Sequence, residues 1–329
     1  MSPNWPAGRA PRLASGETSL QAARIRIGTR GSPLALAQAH EVRDRLAKAH
    51  GLPEDAIAIT VIKTTGDQVL DRPLSEIGGK GLFTKELETA LFANDIDVAV
   101  HSMKDMQTVL PDGLAVGAVL PREDPRDAFI SLKHADLAAL PPRAIVGTSS
   151  LRRKAQVLNA RPDLRVVDFR GNVQTRLRKL KEGVAEATFL AVAGLKRLGI
   201  ENHITAVVPM DAMLPAVAQA AIGLEIRADD EPMAALVAPL NDANTEIAVT
   251  AERAFLARLE GSCRTPIAGH ATLDDNGLSF RGELLSPDGK KKYDVVRSGA
   301  PDSASDIGVS AADEILRTAD PAILAYPSA

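Results

Sequence analysis

Apolar and polar positions alternate over Arg24-Ile25-Arg26-Ile27-Gly28, the period-two pattern of a half-buried strand. Thr29-Arg30-Gly31-Ser32-Pro33 breaks the alternation. LALAQAHEVRDRLAKAH then sets Leu34, Ala37, Val42 and Leu46 at roughly helical spacing. Ser32 suits the cap of that helix, Pro33 its first position and Gly51 its end. The apolar run over residues 56–62 predicts a second strand, so the chain opens β-loop-α-β. The same order recurs at Ala144-Ile145-Val146-Gly147-Thr148, with Ser149-Ser150, the helical LRRKAQVLNA and a strand beginning at Val166-Val167. IGTRGSPLALAQ and VGTSSLRRKAQ share strand, Gly-Thr, Ser, helix and Ala-Gln. The repeat is short, yet both copies suggest α/β modules with a ligand loop at the C-terminal end of a strand.

Each module holds a later apolar strand that enters a polar loop. Asp97-Val98-Ala99-Val100 leads into His101-Ser102-Met103-Lys104-Asp105, and residues 188–192 lead into Ala193-Gly194-Leu195-Lys196-Arg197. Pro121-Arg122-Glu123-Asp124-Pro125 and residues 209–215 read as two crossings between modules, which would place a cleft and hinge between them. Beyond residue 240 the pattern changes to a helix over residues 244–259, alternating runs at 278–285 and 291–296 around the turn SPDGK, and a helix near 303–317. These predict a small α+β unit. The expected division is 24–120 with 221–240, then 121–220, then 241–329.

A chain of 329 residues exceeds one usual core. Residues 1–23, rich in Pro, Gly, Ser and Ala, predict a poorly ordered extension without the apolar stretch of a secretory signal. No apolar run spans a membrane. A cytoplasmic protein is expected. The formal net charge of −3 names no partner. Its distribution is more telling: residues 143–181 hold eleven basic side chains against two acidic ones, an excess that marks an anion site.

Ser149-Ser150-Leu151-Arg152-Arg153 opens a helix, where free N–H groups, hydroxyls and two guanidinium groups favour an anion. Arg170-Gly171-Asn172 through Arg176 repeats the arrangement. A solvated basic face is the plainer reading of both. Scarce aromatics argue against single-stranded nucleic acid. Gly78-Gly79-Lys80-Gly81-Leu82-Phe83 lacks Walker spacing and reads as a mobile turn or a lid carrying Lys80 and Phe83. HSMKD reads as a solvated loop with a Lys104–Asp105 ion pair unless it lines a cleft. The six histidines show no ligand spacing for a metal. Cys263, the one cysteine, is a buried thiol or a reactive one activated by Arg264.

Together these segments resemble the porphobilinogen deaminase (hydroxymethylbilane synthase) family. The resemblance rests on IGTRGSPLALAQ, GGKGLFTKELE, DVAVHSMKD, REDPRDAFIS, VGTSSLRRKAQ, RGNVQTRL, LAVAGLKRLG and ERAFLARLEGSCRTPI, in that order. It implies two doubly wound α/β domains like those of periplasmic binding proteins and a small α+β C-terminal domain. It implies a dipyrromethane cofactor, built from two porphobilinogens and joined to Cys263 by a thioether. Four further porphobilinogens are added head to tail with loss of ammonia, and water releases 1-hydroxymethylbilane for tetrapyrrole biosynthesis. Asp105 matches the catalytic aspartate, which would stabilise the azafulvenium cation. Arg30, Ser32, Lys80, Ser102, Lys104, Thr148, Ser149, Ser150, Arg152, Arg153, Arg170, Arg176, Arg197 and Gln219 match cofactor or substrate contacts, and Phe83 the lid. The resemblance implies a monomer, with no metal, nucleic acid or membrane partner.

Two departures stand out. Met106-Gln107 replaces the usual hydrophobic-Pro pair, and PAVAQAAIG carries Ala218 and Ala220 where the family has glycine. A glycine with positive φ would leave alanine strained there. The rival reading, a non-enzymatic clamshell for a small anion, accounts for the arginines but not for Cys263 or Asp105.

Overall fold

A computed structural model describes residues 25–68, 81–259 and 265–324. The expected extension at 1–23, Lys80 and Cys263 lie outside the described residues. The strands are β1 (Ile25–Arg30), β2 (Ile57–Ile62), β3 (Val98–Ser102), β4 (Leu114–Val119), β5 (Asp127–Ser131), β6 (Ile145–Gly147), β7 (Arg165–Val167), β8 (Ala187–Ala191), β9 (Ala206–Val207), β10 (Ile222–Arg227), β11 (Ile267–Asp274), β12 (Gly277–Leu285) and β13 (Lys292–Gly299). The helices are α1 (Pro33–His50), α2 (Thr65–Gln68), α3 (Lys85–Phe92), α4 (Leu151–Ala160), α5 (Val173–Lys181), α6 (Val192–Arg197), α7 (Glu231–Val237), α8 (Ala243–Arg258), α9 (Ala304–Thr318) and α10 (Pro321–Leu324).

Three sheets form, ordered β2-β1-β3-β10-β4, β7-β6-β8-β5-β9 and β11-β12-β13. The first two follow one plan. β1 runs parallel to β2 and β3, while β10 runs antiparallel to β3 and β4. β6 runs parallel to β7 and β8, while β5 runs antiparallel to β8 and β9. β5 and β10 hold the same place in their sheets. Each is the strand on which the chain arrives from the other unit, so two crossings join the units. The Gly-Thr repeat falls on β1–α1 and β6–α4, equivalent central positions, which puts both ligand loops at strand C-termini beside the crossings.

Local chemistry explains these turns. Ser32 Oγ accepts from Ala35 N at 3.2 Å, and Gly51 ends α1 at φ 63°. Ser150 caps α4 by accepting from Arg153 N, and Asn172 caps α5 by accepting from Thr175 N. The buried face of α1 is Ala35, Gln38, Ala39, Val42 and Leu46, rotated from the expected one. Leu34 instead approaches the second unit, where a Cβ on Gly194 would lie 3.4 Å from its side chain. In the third unit β11–β13 form an antiparallel sheet covered by α8 and α9, with the Phe255 and Phe280 rings tilted against each other at 4.9 Å between centroids.

The return crossing settles the alanine question. Ala218 and Ala220 have φ of 58° and 76°. The left-handed region costs a residue with a Cβ about 1–2 kcal/mol. Three charged side chains clamp the segment there. Ala218 N donates to Glu252 Oε2 at 2.5 Å, Arg122 Nε donates to Gln219 O at 2.9 Å, and Arg197 Nη2 donates to Ala220 O at 3.0 Å. Arg122 and Glu252 pair with each other, tying the outgoing crossing to α8. Burial alone would raise the Glu252 carboxyl, but Arg122 and His270 outweigh it and hold it at about 2. Ala218→Gly and Ala220→Gly are each expected to stabilise the protein by about 1 kcal/mol. Calorimetry should show the melting temperature rising by about 2–4 °C per change; an unchanged or lower value would contradict the strain.

Candidate functional site

The C-terminal ends of β1 and β3 supply one wall. Arg30, the last residue of β1, donates through Nε to Asp67 Oδ2 at 3.0 Å, and its Nη1 lies 4.0 Å from Asp105 Oδ2. Its guanidinium sits 4.1 Å from the centre of the Phe83 ring. Gly66 makes room for that ring: a Cβ there would come within 2.3 Å of it. Burial works to lower the pKa of Arg30, but Asp67 and Asp105 outweigh it and raise the value. Ser102 Oγ accepts from Gln38 Nε2 at 2.8 Å, so α1 braces the start of the HSMKD loop.

Lys104 and Asp105 do not pair as the plainer reading expected. Lys104 Nζ donates to Gln219 Oε1 at 3.3 Å. Burial pushes its pKa down; the charge of Asp105 opposes that shift and Arg153 adds to it. Asp105 stays open, with its side chain 35% exposed.

The second unit supplies the opposite wall. Arg152 and Arg153 are 5% exposed, and both bind Asp127, each at 2.7 Å. They also donate to Leu214 O and Phe189 O. Burial would raise the Asp127 carboxyl, yet the two guanidinium groups hold it well below the carboxylate range. Gln219 Nε2 donates to the same carboxylate at 2.9 Å. One continuous chain therefore runs from Arg152 and Arg153 through Asp127 and Gln219 to Lys104, beside Asp105. Asp127, Gln38 and Asp67 escaped the sequence reading. The Nε atoms of Arg152 and Arg153 are buried without a partner among the described residues.

Arg176 donates through Nε to Gly171 O at 2.8 Å. Burial draws its pKa down to about 10; the charges of Arg153 and Arg170 add to this, while Asp168 and Asp105 oppose it. Lys179 Nζ donates to Arg170 O, fixing that turn. Thr148, Ser149 and Ser150 bind backbone: Thr148 Oγ1 accepts from Ser150 N, Ser149 Oγ from Phe169 N, and Ser150 caps α4. Arg197 is set apart. It meets Glu41 of α1 and the carbonyl of Ala220, a link between units at the crossing.

Two α/β units that set a cluster of cations opposite one open carboxylate, with a third unit bound to their hinge, define a two-lobed cleft protein. Residues 25–235 match the family model "Porphobilinogen deaminase, dipyromethane cofactor binding domain", and residues 246–317 match "Porphobilinogen deaminase, C-terminal domain". The chain belongs to the porphobilinogen deaminase family, enzymes of tetrapyrrole biosynthesis whose first region binds a dipyrromethane cofactor. Porphobilinogen deaminase of Paracoccus denitrificans is 60% identical over 88% of this chain and 93% of its own length. That of Nitrobacter hamburgensis is 55% identical over 92% and 95%. The chloroplastic protein of Pisum sativum is 56% identical over 90% and 82%. Among solved structures, a putative methionine-binding lipoprotein from Bacillus subtilis is 13% identical at a TM-score of 0.42, covering 66% of this chain and 90% of its own. No described helix is long and apolar enough to cross a membrane, and no described group of three His, Cys, Asp or Glu could hold a metal ion.

Proposed function

We propose that the cleft between the first two units is the reaction site, with Asp105 at the reacting centre and Cys263 as the cofactor anchor. The observation that carries this is the open Asp105 carboxylate, 4.0 Å from Arg30 and within the field of Arg176 from the other unit. Two porphobilinogen units bring two acetates and two propionates. The cations of the cleft suit that set, and the unpartnered Nε donors of Arg152 and Arg153 fit a polycarboxylate. Arg30, Lys104, Arg153, Arg170 and Arg176 would hold its carboxylates. When bound, the cofactor supplies the pyrrole carbon to which substrate is joined.

The chain's own groups divide the remaining work. Asp105 accepts hydrogen bonds from the pyrrole N–H of arriving porphobilinogen. Its negative charge opposes the positive charge that grows as the aminomethyl group releases ammonia. The same carboxylate can receive the proton lost on coupling. Lys104 and Gln219 hold the Asp105 turn against the second unit. Arg176, a crowded and desolvated cation, gains from each substrate carboxylate that neutralises it. Thr148, Ser149, Ser150 and Ser32 fix the loops that present these groups, and Arg197 sets the spacing of the units.

The proposed division is 24–120 with 221–240, 121–220 and 241–329, a reading supported by the grouping of the strands into three sheets. The proposal includes a monomer acting on porphobilinogen in the cytoplasm. Arg176→Gln is expected to raise KM for porphobilinogen about 10–100-fold, the worth of one charge-assisted carboxylate contact. The assay is steady-state kinetics on protein of measured cofactor content. A KM within twofold of wild type would count against the anion role.

A further inference from the structure

The turn that presents Asp105 packs into the core of the third unit. Met103 and Met106 flank Asp105 and are 2% and 6% exposed. Both lie in the apolar core formed by Val249, Phe255 and Leu259 around α8 and Ile267 of β11. Gly223 of β10 leaves the space for Met103: a Cβ there would fall 2.0 Å from the sulfur. The backbone just beyond is held from the same helix. Arg253 of α8 donates through Nη2 to Gln107 O at 2.6 Å and to Thr108 O at 3.1 Å. The Gln107 side chain, where the family has proline, donates to Glu88 of α3 at 3.3 Å.

A buried carboxylate contributes to the electrostatics of Arg253. Glu225 of β10 is fully buried and pairs with His101 Nε2 at 2.9 Å. Its other oxygen, Oε1, is buried without a hydrogen-bond partner among the described residues. The negative charge of Glu225 favours the charged form of Arg253, against a burial penalty that lowers its pKa overall. The preceding residue, Glu252, clamps both crossings. Successive residues of one helix therefore hold the hinge and the Asp105 turn, and that helix ends at Arg258, just before the segment that carries Cys263.

We propose that Arg253 is a positioning residue for the reaction: it keys residues 103–108 to α8, so that the Asp105 carboxylate and the root of the Cys263 segment form one rigid body. This rests on the reading of Asp105 as the group at the reacting centre. An arginine is required because a single planar head reaches two successive carbonyls from a fixed direction. The spacing between Asp105 and the root of the anchor segment is then set within this body and is independent of where the second unit sits.

The test uses cofactor-loaded full-length protein with Arg253→Gln and Arg253→Lys. Arg253→Gln is expected to lower kcat about 10–100-fold, the cost of misplacing a reacting group by about an ångström, while KM stays within about twofold. Amide hydrogen exchange over residues 103–109 should accelerate, whereas the cofactor mass is retained. Arg253→Lys should recover only part of kcat and of the protection, leaving kcat several-fold below wild type. Unchanged kcat per loaded molecule, with only a lower melting temperature, would reduce Arg253 to a structural role and overturn the proposal, as would unchanged exchange. If Arg253→Gln fails to fold, Arg253→Lys decides alone: a several-fold lower kcat with faster exchange supports the coupling, and wild-type values overturn it. Full turnover by Asp105→Asn would instead sink the reading of Asp105, while the exchange result would still report whether Arg253 holds the turn.

Discussion

Asp105→Asn is expected to lower kcat by roughly 10³-fold while the protein stays folded and loaded with cofactor, because charge stabilisation and proton transfer are both lost. The amide is isosteric, so the turn keeps its shape. Met103 and Met106 still anchor it, and Lys104 still donates to Gln219. What disappears is a negative charge aimed at the cation that forms as ammonia departs. Arg30 sharpens the expectation. Its Nη1 lies 4.0 Å from the Asp105 carboxylate and its strong partner is Asp67, so Asp105 is oriented without being neutralised by a tight pair. KM should change little, since the substrate carboxylates are held by the opposite wall. Stopped-flow ammonia release and steady-state product formation would both report the loss. A fall of less than about tenfold would remove Asp105 from the reacting centre, since general acid–base groups alone contribute about 10²–10⁴.

Cys263→Ser is expected to abolish product formation, for a different reason. A serine oxygen is far less nucleophilic than a thiolate and would not form the anchoring bond. Without a covalent anchor the cleft offers only reversible carboxylate contacts, and intermediates would dissociate between additions. The fold should persist. The core of the third unit is made by Phe255, Phe280, Leu284 and the apolar faces of α8 and α9, and the crossings are clamped by Glu252. Melting close to wild type with no uroporphyrin after incubation and oxidation is the expected pair of results. Normal product formation would refute the anchor.

The features legible in the sequence were local ones. Ser32, Pro33 and Gly51 announce α1 because caps depend on a few adjacent residues, and the Gly-Thr repeat lands on equivalent strands of the two sheets. The sequence pattern does not mark β4, β5, β9, β10 or β11. LAVGAV carries a glycine, DAFIS is short, and β9 is only two residues. The basic excess falls in the second unit, but composition cannot say whom an arginine serves. Arg152 and Arg153 share Asp127 from another strand, a partnership set by tertiary structure. Arg122 with Glu252, and Arg253 with the Asp105 turn, escaped for the same reason: each joins segments more than a hundred residues apart. Arg197 matched a ligand contact by motif, yet its position spans α1 and the return crossing. The alanines at 218 and 220 were visible as a departure, and only the backbone could show that both take the conformation glycine favours.

The proposed reaction depends on a covalent group at one residue held within this cleft. Intact-mass spectrometry of the purified wild-type protein and of Cys263→Ser, followed by peptide mapping, addresses it directly. Wild type is expected to carry the added mass of two linked pyrrole units on the peptide containing Cys263, and the variant none. A fully active wild-type protein with unmodified Cys263, or the same added mass on the variant, would contradict it.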